Sequence, residues 1–243
     1  THPPPVMQDR KLLIGIVLVA FVASAVFLGV DYLPSPAAST ESSPASVPDQ
    51  MKTVDIDPVD ADTATFAGGC FWCMEPPYDK LEGVAATISG YAGGDEVDPT
   101  YRDVASGQTG HAEVMQVIYD ATQISYERLL QVYWRNIDPL DNGGQFCDRG
   151  SSYRPVIFAH NSTQRQLAEA SKEQVAQRFS DPIVVPIEPL EAFYRAETYH
   201  QNFYKKDPDR YYSYRRGCRR DARLEALWGE MAGQPGPLTV TEG

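Results

Sequence analysis

The stretch Thr63–Glu75, T-A-T-F-A-G-G-C-F-W-C-M-E, packs a strand, a turn and a helix start into one short run. Thr63 to Ala67 alternates and carries β-branched residues, as strands do. Gly68 and Gly69 then let the backbone turn sharply, so a helix is expected to open at Cys70. A cysteine at that point meets unpaired N–H groups and the positive end of the helix dipole, and both favour a thiolate. The competing reading makes Cys70 and Cys73 small packed core residues; the paired glycines and the aromatic Phe71 and Trp72 weigh against it. Pro76 and Pro77 follow at once, and a proline inside a helix costs about 3 kcal/mol, so the first turn is expected to stand apart.

Outward from this stretch, Ala112–Tyr119 (A-E-V-M-Q-V-I-Y) reads as a strand, and Val156–Ala159 and Ile183–Val185 as short apolar strands. Helices fall between them. Ser125 can cap one in which Tyr126, Leu129, Leu130, Tyr133, Trp134 and Ile137 share a face, and a second runs from Ser162 to Phe179. Strands mixed with amphipathic helices point to an α/β (α+β) two-layer sandwich, a central mixed sheet covered by helices.

Residues 12–30 form an uncharged apolar run with Arg10 and Lys11 before it and Asp31 after it. As a helix it would be about 28 Å long at about 1.5 Å per residue, close to the roughly 30 Å hydrocarbon core of a bilayer. The expectation is a transmembrane anchor; a cleaved signal segment is the alternative, because Ala23-Ser24-Ala25 resembles a small-residue cleavage site. The positive flank places a stub, 1–11, in the cytoplasm and the rest of the chain beyond an inner or plasma membrane. Residues 31–61 are rich in Ser, Pro and Ala and read as a linker, 62–231 as the catalytic domain, and 232–243 as a frayed tail. The apolar fraction of 42% supports a packed core, while the net charge of -12 opposes binding to phosphate backbones.

Further motifs follow in order: G-Y-A-G-G at 90–94, Y-R-D-V at 101–104, G-H-A-E-V at 110–114, G-G-Q-F-C-D-R-G-S-S-Y-R at 143–154 and A-E-T-Y-H-Q at 196–201. With G-C-F-W-C-M-E they give a chain that closely resembles the A-class peptide methionine sulfoxide reductases over 62–231. That resemblance implies a ferredoxin-like sheet and reduction of methionine-S-sulfoxide in peptides and proteins. It implies that Cys70 is the nucleophile, that Phe71 and Trp72 wall an apolar pocket for the substrate methyl group, and that Glu113 donates a proton. Tyr101 and Tyr153 match tyrosines that hydrogen-bond the sulfoxide oxygen, and Asp148 an acid that helps position substrate. Ser152 stands where many relatives carry glutamine and Pro155 where serine is common, which leaves the pocket rim undefined. No metal, flavin or nucleotide is expected; the implied reductant is thioredoxin or another external dithiol.

The residue chemistry agrees. Sulfoxide sulfur is electrophilic, but its oxygen leaves only when protonated, so a thiolate needs a carboxylic acid nearby. Glu113 lies in an apolar strand, where desolvation raises a carboxyl. Once Cys70 has become a sulfenic acid, a second thiol can condense with it. Cys218, among Arg215, Arg216, Arg219 and Arg220, is the expected resolving cysteine; Cys147 and Cys73 are alternatives. His111 beside Glu113, and His200 near Glu197, could suggest a metal site, but only one C-x-x-C pair is present and the histidines are expected to orient loops. Two rival readings are a thioredoxin-like C-x-x-C disulfide oxidoreductase and a non-catalytic module that binds Met-rich clients through Phe71 and Trp72.

Overall fold

The computed structural model describes residues 61–234. The expected anchor at 12–30, the linker up to residue 60 and the end of the tail lie outside them; among the described residues no helix is long and apolar enough to cross a membrane.

The strands are β1 Ala61–Gly68, β2 Val84–Ala92, β3 Ala112–Asp120, β4 Gly144–Gln145, β5 Asp148–Arg149, β6 Pro155–Ala159, β7 Ile187–Pro189 and β8 Phe193–Arg195. The helices are α1 Phe71–Asp79, α2 Tyr101–Ala105, α3 Tyr126–Trp134, α4 Ser162–Ala176, α5 Phe203–Lys206, α6 Pro208–Gly217 and α7 Arg220–Trp228. Six strands make one mixed sheet in the order β7-β6-β1-β3-β2-β8, antiparallel throughout except for the β6–β7 pair. Its inner four, β6-β1-β3-β2, with α1 joining β1 to β2 and a helix after β3, form the ferredoxin-like arrangement. The remaining two strands, β4 and β5, form a separate hairpin.

Side-chain alternation sets what each sheet face carries. Met115, Val117 and Tyr119 of β3 join Phe66, the α1 residues Met74 and Tyr78, and the α3 residues Leu129, Leu130 and Tyr133 in the main core. Ala112 and Val114 face the other way, into a small cluster with Ala67, Ala92, Val156 and Phe158. Glu113 therefore lies in step with Met115, on the helix-covered face. Phe66 stacks on Tyr78, Tyr126 and Tyr133, and the Tyr133 hydroxyl donates to the Ala67 carbonyl at 2.8 Å, which fixes α3 against the end of β1.

Three expectations are corrected. α1 runs unbroken through Pro76 and Pro77, because burial of Phe71, Cys73, Met74 and Tyr78 outweighs the hydrogen bonds the prolines cannot make. Ile183–Val185 is not a strand: Pro182 and Pro186 bracket it, and the Val184 amide donates to Pro139 instead, so pairing begins only at Ile187. The helix expected to reach Phe179 ends at Ala176, and Phe179 packs edge-on against Trp228. β2, rich in Ala, Ser and Gly, was absent from the expected strands; its place between β3 and β8 makes it one.

Candidate active site

Gly69 sits at φ +81, and a side chain there would meet the Gln145 Cβ at 2.6 Å. Glycine thus serves both the turn out of β1 and the close approach of the β4–β5 hairpin to the start of α1. Cys70 is the residue before α1, 6% exposed. The first helical amide, that of Phe71, donates to Glu113 Oε2 at 3.1 Å. One carboxyl thereby caps the helix beside the thiol, across 42 residues of sequence.

Burial raises Glu113 to about 8, against the lowering effect of the Phe71 bond, so it is protonated at neutral pH. Cys70 does not become the free thiolate that a helix start suggests. Burial, then its hydrogen bond with Cys73, then Glu113, push its thiol well up. Burial leads because Cys70 is only 6% exposed, so water is shut out from its sulfur. Cys73 moves the other way, to about 7, through the Cys70 hydrogen bond and, against its own burial, the charges of Arg220 and Arg215.

An aromatic wall closes around this pair. Phe71 and Tyr91 are buried with Cys70, and Trp72, Tyr101, Tyr194 and Tyr214 pack beside them. Trp72 is held from two sides: it stacks on Phe203 with ring centroids 3.7 Å apart, and its indole N–H donates to His200 Nδ1 at 3.1 Å. His200 stays neutral, since burial lowers it to about 4, and its ring lies against Phe71 and Tyr101. Tyr101 opens α2, its amide donating to Glu197 Oε1 and its side chain hydrogen-bonded to Tyr153. Burial and the nearby Glu113 raise both phenols, which keeps them as donors. Asp148 on β5 is raised by burial and accepts from the Tyr214 hydroxyl of α6.

Cys70, Phe71, Trp72, Tyr101, Glu113, Asp148 and Tyr153 thus lie together around the start of α1, with Cys147 and Cys218 beside Asp148. Cys147, at the hairpin tip, is bonded to Cys218 at the end of α6, while Cys70 and Cys73 are free. Cys218 therefore takes Cys147 rather than Cys70 as partner. Nor do the four arginines surround it: Arg215 pairs with Asp221, Arg216 and Arg219 are exposed, and Arg220 is buried. The Arg220 guanidinium donates to the carbonyls of Gly68 and Asn136 and lies over Phe146. Neither candidate metal histidine joins a donor group. The His111 Nδ1 accepts from the Gly94 amide and its Nε2 bonds the Glu96 carbonyl, which ties down the loop between β2 and β3. Among the described residues, the only cluster of three possible donors is Cys147, Asp148 and Cys218, two of which are joined to each other.

Four side chains in the site were not singled out as carrying a role. Tyr91, whose hydroxyl donates to Glu197 Oε2 at 2.8 Å, lies within the quoted G-Y-A-G-G run, and Glu197 was weighed only as a metal neighbour. Tyr214 and Glu75 carried no usable signal. One is four residues before Cys218 on a helix; the other accepts from Ser89 Oγ at 2.9 Å inside the core.

A buried thiol, a protonated carboxylic acid beside it and paired phenols within an apolar wall define a thiol-based reductase site. The model of the family described as peptide methionine sulfoxide reductase matches residues 62–232. The chain is 52% identical over 168 residues to the peptide methionine sulfoxide reductase MsrA of Bacillus subtilis, covering 68% of this chain and 95% of that one. A Listeria innocua MsrA is 51% identical over 167 residues, covering 68% and 94%. Among solved structures, the reduced form of Mxr1 from Saccharomyces cerevisiae superposes with TM-score 0.60 at 35% identity, over 65% of this chain and 92% of that one. Methionine sulfoxide reductase A of Corynebacterium diphtheriae gives 0.57 at 30%, over 63% and 77%. The chain belongs to the peptide methionine sulfoxide reductase family, and it is an oxidoreductase that reduces methionine sulfoxide.

Proposed function

We propose that the enzyme acts on the S epimer of methionine sulfoxide in peptides and proteins, with Cys70 as nucleophile and Glu113 as general acid. The observation that carries this reading is the Phe71–Glu113 hydrogen bond, which sets a protonated carboxyl beside Cys70, the residue that precedes α1. Cys70 sulfur attacks the sulfoxide sulfur while Glu113 gives its proton to the oxygen, and the thiol's own proton restores Glu113. Methionine leaves, and the oxygen stays on Cys70 as a sulfenic acid. Tyr101 and Tyr153 donate hydrogen bonds to the oxygen as charge gathers on it. Phe71 and Trp72 take the methyl group, and Asp148 helps set the substrate at the rim.

The sulfenic acid is then converted to a disulfide, which an external dithiol of the thioredoxin type reduces. The exposed Cys147 supports this, since a protein reductant needs a sulfur it can touch. The uncharged run at 12–30 supports tethering of the catalytic domain to a membrane, on its extracytoplasmic side. The C-x-x-C oxidoreductase reading is not favoured, because the family match spans the whole domain.

A peptide carrying separated sulfoxide epimers tests the assignment. Incubated with enzyme and a dithiol, the S epimer is consumed and the R epimer persists; consumption of R at an equal rate would overturn it.

A further inference from the structure

The tip of the β4–β5 hairpin and the end of α6 bring three metal-donor side chains to one point. The Cα atoms of Cys147 and Cys218 are 4.9 Å apart, and Cys147, Asp148 and Cys218 offer ligand atoms that all lie within 4.8 Å of one another. Two sulfurs and a carboxylate oxygen suit a borderline-soft divalent cation such as zinc, which takes three protein ligands and leaves a fourth position to solvent. Joined as a disulfide, the sulfurs carry no thiolate and cannot hold it. We propose that, once this disulfide is reduced, Cys147, Cys218 and Asp148 form a binding site for one divalent cation of the zinc type. The site does not depend on which cysteine attacks the sulfoxide.

The frame around the donors does not rest on the disulfide alone. The Gly150 amide donates to the Gly143 carbonyl at 3.0 Å and Arg149 pairs with Asp141, which holds the hairpin. The Cys218 amide donates to the Tyr214 carbonyl at 2.9 Å, which holds the end of α6. Tyr214 also joins the two elements directly, because its hydroxyl donates to Asp148 Oδ2. That bond fixes the carboxylate with its other oxygen, Oδ1, 3.7 Å from Cys147 Sγ. A ligating carboxylate oriented by a hydrogen bond from outside the site is what a metal centre requires.

Charge and access agree. Two thiolates and a carboxylate exceed a doubly charged ion by one negative charge, and the Arg220 guanidinium, whose charge reaches Asp148, offsets it. Cys147 is exposed while Cys218 and Asp148 are half-buried, so an ion can enter from solvent. The buried Cys70 and Cys73 lack a third donor: among the described residues no other group of three such side chains occurs.

The chemistry balances. An external dithiol gives two electrons and two protons to the Cys147–Cys218 bond and is itself oxidised to a disulfide. The ion then displaces the two thiol protons as both sulfurs bind it. Ion and disulfide use the same sulfurs and exclude each other, so a bound ion takes the pair out of redox use until a chelator removes it.

The test uses the full chain, reduced, freed of reductant without air, and titrated with cobalt(II) as a spectroscopic probe and zinc(II) as its competitor. The reduced wild type should bind one cobalt(II) per chain, with a thiolate-to-metal charge-transfer band that zinc(II) removes, and should release protons as it does so. The oxidised wild type, with both sulfurs already bonded, should show no band. Cys147→Ser/Cys218→Ser should lose the band, Cys70→Ser should keep it, and Asp148→Asn should weaken zinc(II) binding about 10-fold or more. Thermal unfolding covers the case in which the double variant does not fold: zinc(II) should raise the melting temperature of the reduced wild type and leave that of the oxidised wild type unchanged, because the ion clasps the hairpin to α6 as the disulfide does. No cobalt band in the reduced wild type, an equal band in the oxidised one, or a band that survives loss of both Cys147 and Cys218 or disappears with Cys70 would overturn the site. Unchanged affinity in Asp148→Asn would overturn the three-donor set.

Discussion

Glu113 shows how one residue's surroundings fix its chemistry. Its side chain lies in step with Met115 and Val117 on the covered face of β3, so burial raises it to about 8. Its acid form is complete well below that pH and is lost as pH rises through it, so single-turnover reduction by the wild type is expected to lose its Glu113-dependent part above about pH 8. Glu113→Gln should lower the rate by about 10²- to 10⁴-fold and remove that limb of the profile; an unchanged profile in the variant would assign the acid elsewhere. Glu75 offers a matching prediction for stability. Burial raises it from 4.5 to about 7, so the stability it confers is full below pH 4.5 and lost as pH rises through 7. Glu75→Gln should therefore be more stable than the wild type at pH 8, by up to about 3 kcal/mol, with no gain at pH 4; urea denaturation at the two pH values checks this. The burial of Glu113 was legible in A-E-V-M-Q-V, since apolar neighbours on a strand imply desolvation. That of Glu75 was not, because its partners Ser89 and Asn202 come from distant segments.

At the scale of elements, the decisive unit is the turn from β1 into α1, clamped by what lies against it. Arg220 holds it from α7 through the Gly68 and Asn136 carbonyls, and replacing it with Met leaves two buried acceptors without a donor. At roughly 1 to 3 kcal/mol for each orphaned group, Arg220→Met should lower unfolding free energy by about 3 kcal/mol, measured by chemical denaturation; a change below about 0.5 kcal/mol would show that the clamp bears no strain. Strand-turn-helix was readable from T-A-T-F-A-G-G-C because alternation, paired glycines and a helix start occur in one run. Continuity through Pro76 and Pro77 was not readable, since it depends on Met74 and Tyr78 finding a core built by α3 and β3. The same holds for Ile183–Val185, apolar enough for a strand but fenced by prolines, and for β2, whose small residues form a strand only between two neighbours. The arginines near Cys218 read as one positive patch in sequence. In the fold, one faces inward, one meets an acid and two face solvent, because Arg215 and Arg216 lie on α6 while Arg219, at φ +54, turns the chain into α7, which Arg220 opens.

For the whole molecule, the Cys147–Cys218 bond ties the hairpin to α6 across a sequence separation of 71. Closing a loop of that length stabilises by up to about 4 kcal/mol in the chain-entropy description. Reduction should therefore lower the melting temperature of the wild type and leave that of Cys147→Ser/Cys218→Ser unchanged, which thermal unfolding with and without dithiothreitol would show. The motifs of the site are spread over 62–201 and the sheet order draws them to one end, so the gathering could be anticipated from family resemblance and not from spacing. Which sulfurs pair was beyond the sequence, because it depends on where the hairpin and α6 meet. The central claim is that Cys70 removes the oxygen. The most direct measurement is a single turnover of a methionine-S-sulfoxide peptide by reduced wild type and by Cys70→Ser, with methionine and free thiols counted in each. The wild type should form methionine and lose thiols in pairs while Cys70→Ser does neither; methionine formed by Cys70→Ser at the wild-type rate would contradict the account.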